Sequence, residues 1–471
     1  MPKNTHIQLV SELDATTYEN LAWEVFSVAD IDKLHTLGLS GGARDVLVEN
    51  LHKSADDIKK SMTIYEKISS THSVIVFFPS KDELMDDRSD FFRTLPNNTI
   101  FVPAGDIAEA YEALTLATYR YQTYLSKKKE YTFWILVGKD QQKAIKEKTA
   151  LYDAIIWARD MINMPPRDMN PEGMVKEILS KTWNHFDIEV FGKKELEKLG
   201  CNLLLAVGAW SANPPYMVVF KPKTPPKTEK YALVGKGVTF DAGGIQIKPD
   251  SAMLDMKCDM SGAAGMIGVA QYLDTLSTLP VDVTIAVWLT ENMTGDDAFK
   301  PLDIYTAYNG TTVEIHHTDA EWRLVLADVM SYVEDVYKPE HIITMATLTG
   351  ACIYALGNDI TGIMGDDERV IAALMDNTSP YEKVWRLPLN QKIKKSLKTE
   401  IADLKNLTKT EKAGSSIGGA FLSYFQGNAK LTHLDIAWPA YRESHFWYML
   451  KGGTGWWVKI LSEFLISQAS K

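Results

Sequence analysis

Between about residue 170 and residue 346 the chain alternates short apolar runs with helical patterns, and this alternation limits its possible folds more than any other feature. The runs 216–220, 230–239, 281–289, 312–316 and 341–346 read as strands, and the segments near 172–181, 262–275 and 324–337 read as helices. Strands separated by helices argue for a mostly parallel central sheet flanked by helices, because each parallel connection must cross over and its helix needs a face to pack on. In such sheets ligands sit beyond the carboxyl ends of the strands, so polar residues directly after a strand say most about function.

The first 145 residues alternate in the same way. Apolar runs at Ser73-Val-Ile-Val-Phe-Phe78 and Thr132-Phe-Trp-Ile-Leu-Val137, with a helical pattern from Asp106 to Ser126, read as a small N-terminal α/β domain over residues 1–145. A charged and then amphipathic stretch covers 141–163 and is stopped by Met164-Pro165-Pro166, which cannot continue a helix. Residues 146–165 are therefore expected to be a linker helix, and residues 166–471 the larger C-terminal domain. A chain of 471 residues exceeds one ordinary core at roughly 100–200 residues per domain, which agrees with two unequal domains.

The net charge of −11 argues against broad attraction to nucleic acid or to anionic membranes. The opening MPKNTHIQLVSELD has no apolar core of a signal peptide, and nowhere do eighteen uncharged apolar residues run together. Cys201, Cys258 and Cys352 lie far apart without a CxxC pair, which fits neither a disulfide framework nor a thiolate metal site. A reducing cytoplasm is the expected location.

Three stretches concentrate polar chemistry next to predicted strands. In the first, Leu233-Val-Gly-Lys236-Gly-Val-Thr-Phe-Asp241-Ala-Gly-Gly-Ile-Gln-Ile-Lys248-Pro249, an apolar strand carries one lysine and ends in an aspartate and two glycines. Burial of Lys236 would lower its pKa from about 10.4, and a nearby cation would lower it further, leaving an amine able to bind metal. A lone strand lysine reaching out to solvent at a sheet edge is the plainer alternative. The second stretch, Met256-Lys-Cys-Asp259-Met-Ser-Gly-Ala-Ala-Gly, sets an acid directly before a helix of small residues, where Asp259 could also serve only as a helix cap. In the third, His317-Thr-Asp319-Ala-Glu321-Trp-Arg323-Leu, two carboxylates two residues apart point the same way in an extended turn and suit a metal pair, although a surface DxE is common. His316 and His317 read as structural, since no HExxH accompanies them.

Taken together these stretches resemble the leucine aminopeptidase family, the cytosolic metallopeptidases. VGKGVTFDAGGIQIKP and HTDAEWRLVLAD look like its two signature segments, with support from ARDMINMPP, LTENM, ITMATLTGACIYALG, ADLKNL and HLDIA, over roughly residues 155–471. The resemblance implies a two-metal aminopeptidase that releases N-terminal amino acids such as Leu or Met from peptides by way of a metal-bridging hydroxide. It makes Lys236, Asp241, Asp259, Asp319 and Glu321 ligands of two divalent ions, with Asp241 and Glu321 bridging and Zn²⁺, Mn²⁺, Co²⁺ or Mg²⁺ all acceptable to an oxygen-rich set. It makes Lys248 the residue that stabilises the oxyanion and Arg323 the holder of a bicarbonate. Met256, Thr347, Gly350, Ala437 and Ala440 would line the pocket for the first side chain, and the assembly would be a homohexamer. An inactive scaffold or DNA-binding role on the same fold is the alternative, and it would be favoured by a missing metal ligand.

The chain departs from the family at Trp210, Trp322, Trp438 and Trp457, and at Leu302, where glycine is usual. An indole beside Arg323 is expected to crowd the bicarbonate, narrow the substrate cleft or reset specificity. If any of these positions requires a left-handed backbone, which only glycine adopts cheaply, a nearby loop is expected to have rearranged.

Overall fold

One long helix carries the chain between two units, Met1–Asp153 with Glu443–Lys451, and Ala154–Arg442 with Gly452–Lys471. The computed structural model describes residues 5–10, 63–67, 73–77, 99–103, 107–129, 131–136, 139–377, 382–410, 412–444 and 451–469. In the first unit β1 (Thr5–Val10), β2 (Thr63–Lys67), β3 (Ser73–Phe77), β4 (Thr99–Pro103) and β5 (Tyr131–Leu136) form a sheet in the order β1-β5-β4-β3-β2. Its ladders are parallel except between β2 and β3. Helix α1 (Ile107–Ala117) stops well short of the expected Ser126. The Gln122 side chain accepts from the Lys129 N–H at 2.6 Å and donates to the Lys129 carbonyl at 2.7 Å, closing a loop where the apolar pattern alone suggested more helix.

Helix α2 (Lys139–Asn163) is the long helix, and it ends at the predicted Met164-Pro165-Pro166 stop. Its second half is more than a connector. Ala154, Ala158, Met161 and Ile162 are buried in the second unit, Arg159 Nε donates to the Thr454 carbonyl at 2.8 Å, and Asn163 Oδ1 accepts from Gly453 N at 2.9 Å. Packing divides the chain inside the helix, between Asp153 and Ala154.

The second unit is built on an eight-stranded sheet. Its strands are β6 (Phe186–Phe191), β7 (Tyr216–Pro222), β8 (Lys230–Asp241), β9 (Asp282–Asn292), β12 (His341–Ala346), β13 (Ile360–Gly365), β14 (Lys383–Arg386) and β16 (Lys430–Asp435), in the order β14-β13-β16-β12-β8-β9-β7-β6. The central ladders, β16–β12, β12–β8 and β8–β9, are parallel, and antiparallel pairs lie towards the margins. Every residue of β12 is buried, as are Tyr231 to Thr239 of β8, which is the unbroken apolar character expected of parallel strands covered on both faces. Four helices matter for the site: α3 (Pro171–Leu179), α4 (Asn202–Val207), α5 (Ser261–Leu273) and α6 (Trp322–Tyr337). Helix α5 lies on one face of β8, where Gly262 comes so close that a Cβ would stand 2.4 Å from the Met345 carbonyl oxygen. The other face, through Ala232, Val234 and Val238, joins a core with Trp288 of β9 and the buried side of α6. Asp328 of α6 ties in α4 by accepting the N–H groups of Leu203 at 2.8 Å and Leu204 at 3.0 Å.

The segment 312–316 does not join this sheet. It forms the short β11 (Thr312–Glu314), paired antiparallel with β10 (Ile304–Thr306) and parallel with β15 (Leu404–Lys405). The chain leaves that ladder at His316, where Asn406 Oδ1 takes the N–H groups of His316 at 2.7 Å and His317 at 3.2 Å.

Two of the large residues singled out in the sequence adopt left-handed backbone, Leu302 with φ 75° and Trp457 with φ 73°. This costs a residue with a Cβ roughly 1–2 kcal/mol. Leu302 is 67% exposed and gains little in return, whereas Trp457 is fully buried and its Nε1 donates to Thr361 Oγ1 at 2.8 Å. Leu302→Gly is therefore expected to stabilise the protein by about 1 kcal/mol. Trp457→Gly is expected to destabilise it by about 2–4 kcal/mol, because the loss of a buried aromatic ring exceeds the strain relieved. Denaturant midpoints of the two variants against the parent protein check both signs.

Candidate metal centre

Lys236 lies in the middle of β8 and Asp241 at its end. Five positions apart, they would face opposite sides of a regular strand. A register irregularity between Val238 and Phe240 adds a residue and turns both towards the same side, as a bulge does. The lysine is almost fully buried. Its Nζ lies 2.5 Å from Asp259 Oδ1 and 3.4 Å from Glu321 Oε1, and donates to the Thr347 carbonyl at 3.0 Å.

The turn after β8 brings in Lys248. Gly243 and Gly244 take φ of 90° and 67°, and Lys248 N donates to the Ala242 carbonyl at 3.0 Å to close the turn. Lys248 Nζ then rests 2.9 Å from Asp241 Oδ2 and 2.5 Å from Asp319 Oδ1. Asp241 Oδ1 accepts from Gly243 N and from Asn292 Nδ2, each at 2.9 Å.

Asp259 is no helix cap. It sits in a single 3-10 turn, Met256–Met260, ahead of α5, and its Oδ1 accepts from Thr347 Oγ1 at 2.7 Å. Asp319 occupies the turn before α6, and Glu321 is the residue at which α6 begins. Ligand oxygens of Asp241, Asp319 and Glu321 all lie within 4.8 Å of one another.

Four carboxylates thus face two lysines in a largely water-free space, and the electrostatics follow. Burial raises the Asp259 and Glu321 carboxyls to about 7 and Asp319 to about 6, with neighbouring carboxylates adding to the rise and the lysines opposing it. Burial acts to lower both lysines, but the carboxylates around them outweigh it and hold both above the ordinary value. In the protein alone the surrounding carboxylates therefore outweigh burial at Lys236, whereas a cation among them would act in the opposite direction, towards the neutral amine.

These residues fit divalent ions. Asp259 Oδ2 and both oxygens of Glu321 are buried without a hydrogen-bond partner, Glu321 Oε1 having only the Lys236 ion pair at 3.4 Å, and buried carboxylate oxygens so poorly satisfied are costly unless further cations meet them. The donor set, four carboxylates and one amine, suits a hard or borderline cation.

Arg323, in the first turn of α6, is fully buried, and burial lowers its pKa to about 10. Nη1 donates to the Asn406 carbonyl at 2.9 Å, the guanidinium carbon lies 4.4 Å from the centre of the Trp322 ring, and Nε has no partner. Trp322 does not narrow a cleft. It is buried in the core, stacked on His433 at 6.1 Å and pressed against Gly418. Its large ring is a floor under Arg323. His316 and His317 stay out of the carboxylate cluster: His316 pairs with Glu314 at 3.1 Å, and His317 Nδ1 accepts from Asp319 N at 3.1 Å.

The five residues expected to line a side-chain pocket come from three segments. Asp435 joins two of them, its Oδ1 accepting from Leu348 N at 3.2 Å, beside Thr347 and Gly350, and from Ala437 N at 3.3 Å. Asp255, next to Met256, accepts from Tyr441 beside the buried Ala440, linking the third. Thr347 has a second part to play through its bond to Asp259. Asn292, which orients Asp241, escaped sequence reasoning, although its place as the last residue of β9, at the carboxyl end of a strand, was the available signal.

Residues 156–462 match the model of the cytosol aminopeptidase family, catalytic domain. A probable cytosol aminopeptidase of Persephonella marina is 38% identical over 370 residues, 76% of this chain and 73% of that protein. Another from a Geobacter species is 35% identical over 451 residues, 92% and 87% of the two chains, and the cytosol aminopeptidase of Haemophilus influenzae is 41% identical over 332 residues, 69% and 66%. Among solved structures, the bottromycin maturation enzyme BotP in complex with Mn superposes with a TM-score of 0.77 at 25% identity, covering 99% of this chain and 100% of that one. With the family's model matched across the unit that carries the lysine–carboxylate cluster, and relatives of this identity matched over most of its length, the chain belongs to the cytosol aminopeptidase family.

Proposed function

We propose that the protein is a two-metal aminopeptidase in which Lys236, Asp241, Asp259, Asp319 and Glu321 hold two divalent ions, and that it releases N-terminal amino acids, apolar ones foremost, from peptides. The observation that carries this reading is the set of buried carboxylate oxygens of Asp259 and Glu321 that lack a hydrogen-bond partner, gathered around Lys236 of β8 beside Asp241 and Asp319. Bound ions would supply Lewis acidity, polarising the scissile carbonyl and acidifying water. Manganese in the BotP complex supports a divalent ion of that kind without choosing among Zn, Mn, Co and Mg.

The remaining roles fall to the chain itself. Lys248 is held protonated between Asp241 and Asp319 and still retains some exposure, so it can donate to the oxygen on which negative charge develops. Arg323 keeps a fixed cationic group two residues beyond Glu321. Its unpartnered Nε supports the reading that it holds a small anion such as bicarbonate, which would carry protons. The segments of Met256, Thr347, Gly350, Ala437 and Ala440 supply mostly apolar groups for the first side chain. All five proposed ligands are present and gathered, so nothing favours an inactive scaffold.

Two experiments test the assignment. Stripped of metal, the protein is expected to be inactive on leucyl- and methionyl-p-nitroanilide, to regain activity with Mn²⁺, Zn²⁺ or Co²⁺, and to ignore N-acetylated substrate. Asp319→Ala should abolish turnover with every metal, and activity persisting in that variant would sink the reading. Lys248→Ala should lower kcat by about 10²–10³-fold with a much smaller change in KM, the pattern of a group that acts in the transition state.

A further inference from the structure

An open pocket of about 660 Å³ lies at the carboxyl ends of β8 and β9, lined among others by Arg167, Trp210, Asn213, Phe240, Glu291 and Met293. None of the proposed metal ligands lines it. Phe240 and Glu291 directly precede Asp241 and Asn292, whose side chains bond to each other, so strand alternation turns Phe240 and Glu291 to the opposite side.

The pocket's chemistry is uneven in an informative way. Glu291 is only 8% exposed, and both hydrogen bonds to its carboxylate, from Ser211 Oγ and from Asn213 Nδ2 at 3.0 Å, fall on Oε2. Among the described residues nothing bonds Oε1. The wall is aromatic and apolar, from Trp210, Phe240 and Met293. The Trp210 ring lies so tightly on Gly295 that a Cβ there would be 1.5 Å from ring atoms. The exposed Arg167 contributes a guanidinium that pairs with no carboxylate among the described residues.

A buried carboxylate beside aromatic faces selects an ammonium group, through a charge-assisted hydrogen bond and cation–π attraction. A free guanidinium selects a carboxylate. An apolar wall between them suits an aliphatic or aromatic side chain, and the volume falls within the roughly 300–1,000 Å³ of small-molecule sites. We propose that this pocket binds a zwitterionic apolar amino acid or short peptide, its ammonium on Glu291, its carboxylate on Arg167 and its side chain against Trp210 and Phe240. The site is separate from the metal centre and does not depend on its chemistry.

Calorimetric titration of the full-length, metal-free Asp319→Ala protein tests this, because neither turnover nor metal-bound amine contributes there. L-Leucine is expected to saturate one site. N-acetyl-L-leucine, which lacks the ammonium, and the Glu291→Gln variant should each weaken binding at least about tenfold. Arg167→Ala, an exposed change that leaves the fold intact, should weaken leucine but leave leucinamide unaffected. Leucyl-leucine binding tighter than leucine would assign the site to peptides, and weaker binding would assign it to free amino acids. No saturable binding up to roughly 20 mM, or binding that the Glu291 and Arg167 variants leave unchanged, would overturn the proposal while leaving the aminopeptidase reading intact.

Discussion

An excess of buried negative charge organises the edge of the sheet. Four carboxylates converge on two lysines where water scarcely reaches, and burial raises Asp259, Asp319 and Glu321 towards neutrality in the protein alone. Every local device around them orients or compensates a charge: the irregularity in β8, the glycine turn that returns Lys248, the Asn292 amide on Asp241 and the Thr347 hydroxyl on Asp259. Such an arrangement is expensive as a purely structural element, since isolated buried charges cost several kcal/mol each even after relaxation. It becomes favourable when cations complete it.

The fold bears this cost by making the rest of the sheet dry and closely packed. One face of β8 meets the small residues of α5, and the other meets the core shared with α6, so the strand cannot shift to relieve the repulsion at its end. The same strand ends serve two sites, because alternation sends Asp241 and Asn292 one way and Phe240 and Glu291 the other.

The large residues Trp210, Leu302, Trp322 and Trp457 have separate physical consequences. Trp322 fills the core and lies under the Arg323 guanidinium. Trp457 tolerates a left-handed backbone by burying its ring and bonding Thr361, while Leu302 holds the same conformation in solvent. Trp210 becomes a wall of the open pocket. None of them closes over the carboxylate cluster, whose five members and Lys248 remain gathered.

By itself the sequence determined the class of fold and the identity of the cluster. The alternation of apolar runs with helical patterns demanded a parallel sheet with helices on both faces, and the polar residues after those runs marked the chemistry, because strand ends are where such sheets expose their ligands. The signature segments then singled out Lys236, Asp241, Asp259, Asp319 and Glu321. What only the tertiary structure decided were matters of long-range packing. A strand-like run cannot state which sheet it will join, so residues 312–316 were placed with β10 and β15 by their neighbours' backbone groups. The facing of Lys236 and Asp241 depends on a bulge that shows only in pairing with β9. The protonation of Lys236 depends on how many carboxylates surround it, which burial of a lone lysine could not foretell. Periodicity is a local property and survives in one dimension, whereas register, charge compensation and the lining of a pocket arise only when residues distant in sequence meet.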